Sequence, residues 1–362
     1  MKNTIGNSLS VTLFGESHGK AIGAVIDGIA SGIPVDEAFI AARLSRRRPK
    51  DNLSTPRQEK DEFSILSGVF GGYTTGTPIC ITIPNADTHS QDYGEMQNKM
   101  RPSHADFSAL CRYKGFEDYR GGGHFSGRIT AALVAAAAFV IPALNKKGIY
   151  IGTHIKNIAG VLDNNFENNQ DIIDVSKKDF PVLNDAVANK MQEKILAAKT
   201  NGDSVGGILE TAVIGIPAGV GEPWFDTLEG LISHAVFSVP AVKGIEFGLG
   251  FDFAQKLGSE ANDQMYVSDG EIKCYTNNNG GVVGGITNGM PIVFSAAIKP
   301  TPTIGKEQKT VDISTMTDTT LAARGRHDPC IVHRAAVVVE SVTALVLADA
   351  LSAKFGTDWL AQ

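Results

Sequence analysis

Several short segments of the chain gather imidazole, guanidinium and carboxylate groups beside glycine or proline, a combination able to hold an anion and move a proton next to it. Gly15-Glu16-Ser17-His18-Gly19 puts two ionisable side chains at the tip of a glycine-flanked turn. Glycine lets the backbone approach a ligand closely, and histidine changes charge near neutral pH, which suits acid–base catalysis. A plain turn with a solvated histidine is the competing reading. Arg101-Pro102-Ser103-His104-Ala105-Asp106 combines a cation, a stiffening proline, an imidazole and a carboxylate placed either to orient it or to form a local turn. Arg120-Gly121-Gly122-Gly123-His124-Phe125-Ser126-Gly127-Arg128 leads into an alanine-rich stretch. A glycine-rich turn at a helix start offers backbone N–H groups to anions such as phosphate. Ser126 stands where a dinucleotide fingerprint has its third glycine, and no Lys-Ser/Thr pair follows, so neither a Rossmann loop nor a P-loop is spelled out.

The densest basic run is Arg43, Arg46, Arg47, Arg48 and Lys50, followed by Arg57. Arg43 and Arg47 share a helix face near its C-terminal end, where cations are favoured by the helix dipole. A solvated face and a clamp of bidentate donors for phosphate or carboxylate are both open. In Arg324-Gly325-Arg326-His327-Asp328-Pro329-Cys330, Asp328 serves either as a helix cap or as a catalytic carboxylate. Lys299-Pro300-Thr301-Pro302-Thr303 reads as a rigid strand exit, and Asn277-Asn278-Asn279-Gly280-Gly281 with Gly284-Gly285 as turns or a cofactor wall. The eight histidines form no HExxH or His-x3-His spacing and the carboxylates no EF-hand loop, so no metal is expected.

The elements that must position these groups come from an ordinary globular composition, 43% hydrophobic and 20% charged over 362 residues. A net charge of -6 argues against a general nucleic-acid binder, so any anionic ligand must meet a local basic cluster. Cys80, Cys111, Cys274 and Cys330 are widely spaced and read as small buried residues. No apolar signal core opens the chain, and the apolar run 129–144 is shorter than the roughly 20 residues of a membrane span. A cytoplasmic protein without membrane contact is expected. Strands are predicted over 11–14 and 22–27 as a hairpin, then over 65–70, 79–83, 208–214 and 292–297. Helices are predicted over 36–47, 129–144, 184–199, 226–237 and 333–351, with 85–123 as a long functional loop. Strands and helices do not alternate regularly, which favours one α+β domain over 1–362.

In their order and wording these segments resemble the chorismate synthase family from about Thr4 to Leu351. The resemblance is carried by Gly15 to Gly19 continuing to Asp27-Gly28, Arg46-Arg47-Arg48-Pro49, the Arg101 to Asp106 segment, the glycine loop and Gly325 to Cys330. Softer matches are Gly202-Asp203-Ser204-Val205-Gly206-Gly207, Ala241-Val242-Lys243-Gly244 and Lys299 to Thr303.

The resemblance implies antiparallel sheets sandwiched with helices, and a lyase that eliminates phosphate from 5-enolpyruvylshikimate 3-phosphate to give chorismate. It implies reduced FMN, needed although no net oxidation occurs, with FAD and NADP also associated with the family. It further implies a homotetramer and, without a large insertion, a separate flavin reductase. His18 and His104 resemble the two catalytic histidines, His18 toward the phosphate and His104 toward the flavin, and Asp328 the carboxylate of proton removal. Ser17, Arg46, Arg47, Arg48, Arg101 and Arg128 match substrate positions, and Arg47 also an NADP position. FMN positions fall on His124, Phe125, Ser126, Pro240, Ala241, Gly284, Lys299, Pro300, Thr301, Pro302, Thr303 and Arg326. The chain departs from the family's Arg-Ser-Ser-Ala-Arg at His124 to Arg128, from asparagine at Pro240 and from arginine at Leu53. Rival readings are a flavoprotein acting on another phosphorylated substrate and a non-catalytic anion-binding or assembly protein.

Overall fold

A computed structural model describes residues 2–50, 52–55, 60–86, 98–322 and 328–362. Two five-stranded antiparallel sheets form its frame. The first runs Thr4–Ile5, Ser10–Gly15, Ala21–Asp27, Ile79–Pro84, Ser64–Ser67 in spatial order. Period-two burial sets its register: Ile22, Ala24 and Ile26 lie opposite Ile83, Ile81 and Ile79, and all six are buried. The second sheet runs Val242–Phe247, Ile292–Ile298, Gly207–Ile214, Tyr150–Ile158, Val161–Leu162.

Helices fill the space between the sheets. Thr130–Ala137 packs on the first sheet, Val332–Phe355 packs on the second, and the two helices touch each other and Glu37–Arg47. Leu209 and Val213 of the second sheet point into this central core, while Ala212 and Ile214 face a small separate cluster with Ile172 of helix Asn169–Val175. Both faces of that sheet are therefore covered. Val332–Phe355 is long and apolar enough to cross a membrane, yet 94% of its apolar window is buried within the protein. A helix that is hydrophobic all round suits that position. Its Asp349 accepts hydrogen bonds from the backbone of Asn7, Ser8 and Leu9, fastening the start of the chain to the core.

Most predicted elements are present: the opening hairpin, Glu37–Arg47 capped by Asp36, Asp185–Thr200 capped by Asn184, Leu228–Ser238, Gly207–Ile214 and Ile292–Ile298. The helix expected over 129–144 is instead two, Thr130–Ala137 and Ile141–Lys146. Pro142 explains the break, because it has no N–H and its ring clashes with the preceding turn. The strand over 65–70 is interrupted at Gly68, whose φ is 82°. The loop over 85–123 contains the helix Asp106–Tyr113. Cys111 on that helix is exposed and Cys80 half-buried, so only Cys274 and Cys330 are the buried thiols expected.

The long strand Tyr150–Ile158 has no sequence counterpart in the prediction because its buried residues include polar ones. Thr153 bonds Thr211 at 2.8 Å, and buried His154 lies 3.0 Å from Asp163 Oδ2 and 3.1 Å from Glu210 Oε2. Burial pushes the His154 pKa down, but the two carboxylates more than offset this and hold it above 6.5. A group bound more tightly to its proton in the folded state contributes stability that is complete below its unfolded pKa of about 6.5 and fades as pH rises through the folded value. The melting-temperature deficit of His154→Gln should therefore be widest below about pH 6 and shrink toward alkaline pH. A deficit independent of pH would show that the imidazole is not the titrating group.

A second buried ion cluster fixes the basic helix to the core. Glu340 is 1% exposed and accepts Arg43 Nη1 at 2.6 Å and Arg46 through both Nη atoms at 2.7 and 3.1 Å. Glu340→Ala, which strands the buried guanidinium of Arg43 and the half-buried one of Arg46, should lower unfolding free energy by about 3–5 kcal/mol in urea titration.

Candidate active site

Gly121 and Gly122 bring the two predicted histidines together. The loop Arg120–Phe125 turns through left-handed backbone at Gly121, Gly122 and Gly123, with φ of 59°, 84° and 52°. A Cβ at Gly121 would lie 2.3 Å from His18 Cε1 and 2.7 Å from Ser17 Oγ, and one at Gly122 would lie 3.1 Å from His104 Cε1. The glycines are thus required both by conformation and by contact. Ser17 N–H donates to Gly123 O at 3.1 Å, and His124 Nδ1–H donates to Gly15 O at 2.8 Å, clamping the loop to the first hairpin. His18 is only 7% exposed, so the reading of a solvated turn histidine falls.

His104 is oriented by Asp106. Asp106 Oδ1 accepts from His104 Nδ1 at 2.6 Å, and its carboxylate receives Arg101 Nε and Nη2 at 2.7 Å each. Burial raises the Asp106 pKa, but the bonds from His104 and Arg101 hold it well below the usual carboxylate range. An ionised Asp106 can only accept, so Nδ1 carries the hydrogen and Nε2 is left toward Gly122. A cavity beside this pair is lined by Arg101, His104, Leu110, Tyr119, Gly122 and Phe125. Ser126 caps the next turn through Arg128 N.

The arginines fall into two groups. Arg46 pairs with Glu340, as above, and Arg48 donates to Lys60 O at 2.9 Å. Arg47 and Arg128 are both buried and share one carboxylate: Asp61 Oδ2 accepts Arg47 Nη2 at 3.0 Å and Oδ1 accepts Arg128 Nη1. Burial pushes the Asp61 pKa up, yet Arg47 and Arg128 outweigh it and keep the group ionised. The Arg47 pKa is lowered by burial first, with Arg128 and Arg334 adding repulsion. Asp61 itself has φ of 53°, a left-handed conformation that costs a non-glycine residue about 1–2 kcal/mol.

Asn85 joins this cluster to the histidine turn. Its Oδ1 accepts Arg128 Nε at 2.9 Å, and its Nδ2 donates to Glu16 O and Gly19 O, each at 2.9 Å. At the other end, Asp328 accepts Thr55 N–H at 2.9 Å and pairs with Arg334. It does not cap the last helix, whose N-cap is Ile331. Pro329 O accepts Val205 N–H, Ser204 Oγ donates to Thr301 O, and Lys299 Nζ donates to Ser103 O beside His104. Lys299 N–H in turn bonds Ala241 O, which places Pro240-Ala241 there too. Contacts therefore run as an open circuit from Arg334 through Asp328, Thr301, Lys299, His104, His18, Asn85, Arg128 and Asp61 to Arg47, whose charge Arg334 opposes.

Gly284 is not tied into this circuit among the described residues; its hairpin packs near Gly221 and Leu228. Arg57 and Arg326 lie outside the described residues. Sequence reasoning does not single out Asp61, Asn85 or Arg334, since a lone carboxylate, amide or helix arginine has no local signature. Arg334, six residues after Asp328, has the only hint, its nearness to the Asp-Pro-Cys turn.

Comparisons with known proteins give the family. A family model described as chorismate synthase matches residues 9–352. The chain belongs to the chorismate synthase family. It is 48% identical to the chorismate synthase of Pyrococcus abyssi, with 96% of each chain covered, and 45% identical to that of Methanosarcina acetivorans, covering 96% and 95%. A crystal structure of chorismate synthase matches with a TM-score of 0.76 at 31% identity, covering 97% of this chain and 94% of the other. The α+β fold and the lyase class of chorismate synthase are thereby established, with a place in the shikimate pathway to aromatic compounds.

The glycine contacts give a direct check on this site. Gly121→Ala, which drives a methyl into the His18 ring, should lower chorismate formation by about tenfold or more, the effect of a barrier raised by 1.4 kcal/mol. Gly127→Ala meets nothing within 4 Å and should stay near parent activity. Equal activity of the two variants would mean that loop contact with His18 does not matter.

Proposed function

We propose that this enzyme converts 5-enolpyruvylshikimate 3-phosphate to chorismate and phosphate, with reduced FMN as cofactor. The observation that carries the reading is the pressing of two imidazoles onto consecutive glycines beside a buried arginine cluster. A substrate with a phosphate and two carboxylates needs such cations in a protein of net charge -6.

The residues fit a phosphorylated flavin. Thr301 Oγ1 is buried without a hydrogen-bond partner among the described residues, Lys299 supplies a cation, and Phe125 and Tyr119 offer aromatic surface on the cavity holding His104. His124, Phe125, Ser126, Pro240, Ala241 and Lys299 to Thr303 would hold the cofactor. When bound, reduced FMN supplies electron density that assists carbon–oxygen bond cleavage and is recovered afterwards.

In the elimination a carbon–hydrogen bond and a carbon–oxygen bond break and a double bond forms between carbons. Asp328 receives the carbon-bound proton, and Arg334 and Thr55 N–H hold that carboxylate in place. His18 gives a proton to the departing phosphate, with Ser17 Oγ 3.2 Å from its Nδ1. Arg47, Arg48, Arg101 and Arg128 balance the substrate's negative charge, while Arg46 supports them from its pairing with Glu340. His104, with Nδ1 fixed by Asp106, keeps Nε2 for charge on the cofactor. The same reading makes the enzyme a cytoplasmic homotetramer supplied with reduced flavin by a separate reductase, with Arg47 at the NADP-matched position.

An anaerobic assay with dithionite-reduced FMN and 5-enolpyruvylshikimate 3-phosphate, read by chorismate absorbance, tests the proposal. Turnover is expected with reduced FMN alone, and His18→Ala and His104→Ala should each lose about 10²-fold or more, the usual scale for a general acid or base. No turnover by the parent, or parent-like rates in both variants, would refute it.

A further inference from the structure

Arg47 and Arg128 come from distant places in the chain, the last turn of one helix and the turn before another, yet both end on the same carboxylate. The Asp61 side chain is fully buried, with one oxygen on each guanidinium. The backbone just before it is fastened to the same helix end, since Lys60 O accepts from Arg48. Arg128 is aimed further by Asn85 Oδ1 and Pro84 O, which take its Nε and Nη2. Arg47 Nε is buried without a hydrogen-bond partner among the described residues, so Arg47 keeps a donor that Asp61 does not use.

We propose that Asp61 is the positioning residue of the anion pocket, bridging Arg47 and Arg128 so that both guanidinium groups keep the spacing and direction that substrate anions require. The proposal rests on the reading that these two arginines hold the substrate. Among the described residues, the ion pairs of Arg47, Arg128 and Arg334 set three positive charges against the two negative charges of Asp61 and Asp328, an excess of one positive charge. Without Asp61 the excess would double, and like charges at this range repel strongly when buried. The pocket would hold more charge but less shape. The opposite role, a carboxylate that occupies the arginines until substrate displaces it, predicts the reverse change in affinity.

Asp61→Asn separates the two, because asparagine tolerates the left-handed backbone and matches the side-chain shape while removing the charge. Calorimetric titration of 5-enolpyruvylshikimate 3-phosphate into parent and variant, with and without oxidised FMN, should show Kd for the ester raised about tenfold or more. Affinity for oxidised FMN should stay within about threefold, KM should rise more than kcat falls, and Asp61→Glu should recover part of the loss. Tighter or unchanged ester binding by Asp61→Asn overturns the proposal. Should that variant fail to fold, Arg47→Gln/Asp61→Asn, which removes one charge of each sign, is compared with Arg47→Gln alone. Because Asp61 also holds Arg128, a further loss of ester affinity of about threefold or more in the double variant supports the proposal, and equal or tighter ester binding overturns it. A parent that binds no ester refutes the functional reading itself, whereas a parent that binds and an Asp61→Asn variant that binds equally refute only the role of Asp61.

Discussion

Guanidinium groups cannot be packed together inside a protein unless carboxylates stand between them, because burial removes the water that would otherwise screen their repulsion. This constraint is met twice around one short helix. On its core side Glu340 joins Arg43 and Arg46, and at its end Asp61 joins Arg47 to Arg128. The basic run is therefore divided by function. Arg43 and Arg46 lock the helix to the central helix Val332–Phe355, while Arg47 and Arg48 at its end bond Asp61 and the backbone just before it.

The glycine loop solves a different problem. Two imidazoles from separate segments must approach one another without their carrier loops colliding. Removing Cβ at Gly121 and Gly122 lets one turn of backbone serve both, and left-handed φ values allow it to bend sharply enough. Each ring is then held from its far side, His104 by Asp106 and the His18 turn by Asn85. His124 and Phe125 fit this frame. His124 bonds Gly15 O and Phe125 lies edge-on to Tyr113, so both side chains take up scaffold contacts.

Buried polar groups also explain which elements resist prediction. His333 is fully enclosed against Phe180, and its Nε2 meets Ser54 Oγ at 3.0 Å. Burial pushes its pKa down to about 3, with Arg334 adding to the effect, so it stays neutral. It anchors the segment whose Thr55 N–H holds Asp328. A sequence reading assigns such a histidine to chemistry or to solvent, and neither applies here. Likewise the strand Tyr150–Ile158 hides behind Thr153, His154 and Lys156, whose pairing with Thr211 and Glu210 appears only across the sheet.

Local pattern alone determined the elements whose signals lie within a few residues: the opening hairpin, the capped helices, the apolar last helix and the glycine turn, together with His18, His104 and Asp328 as chemically able groups. These follow from periodicity, capping and backbone freedom, which act over short spans of chain. Tertiary structure decided which arginines pair with Glu340 in the core and which with Asp61, and so which carboxylate stands between Arg47 and Arg128. The physical reason is that an ion pair is set by distance in space, and the partners lie far apart in sequence: Arg47 with Asp61 and Arg128, Arg43 with Glu340. No local rule carries that separation, so identical-looking neighbours in the run Arg46-Arg47-Arg48 acquire different work only when the chain has folded.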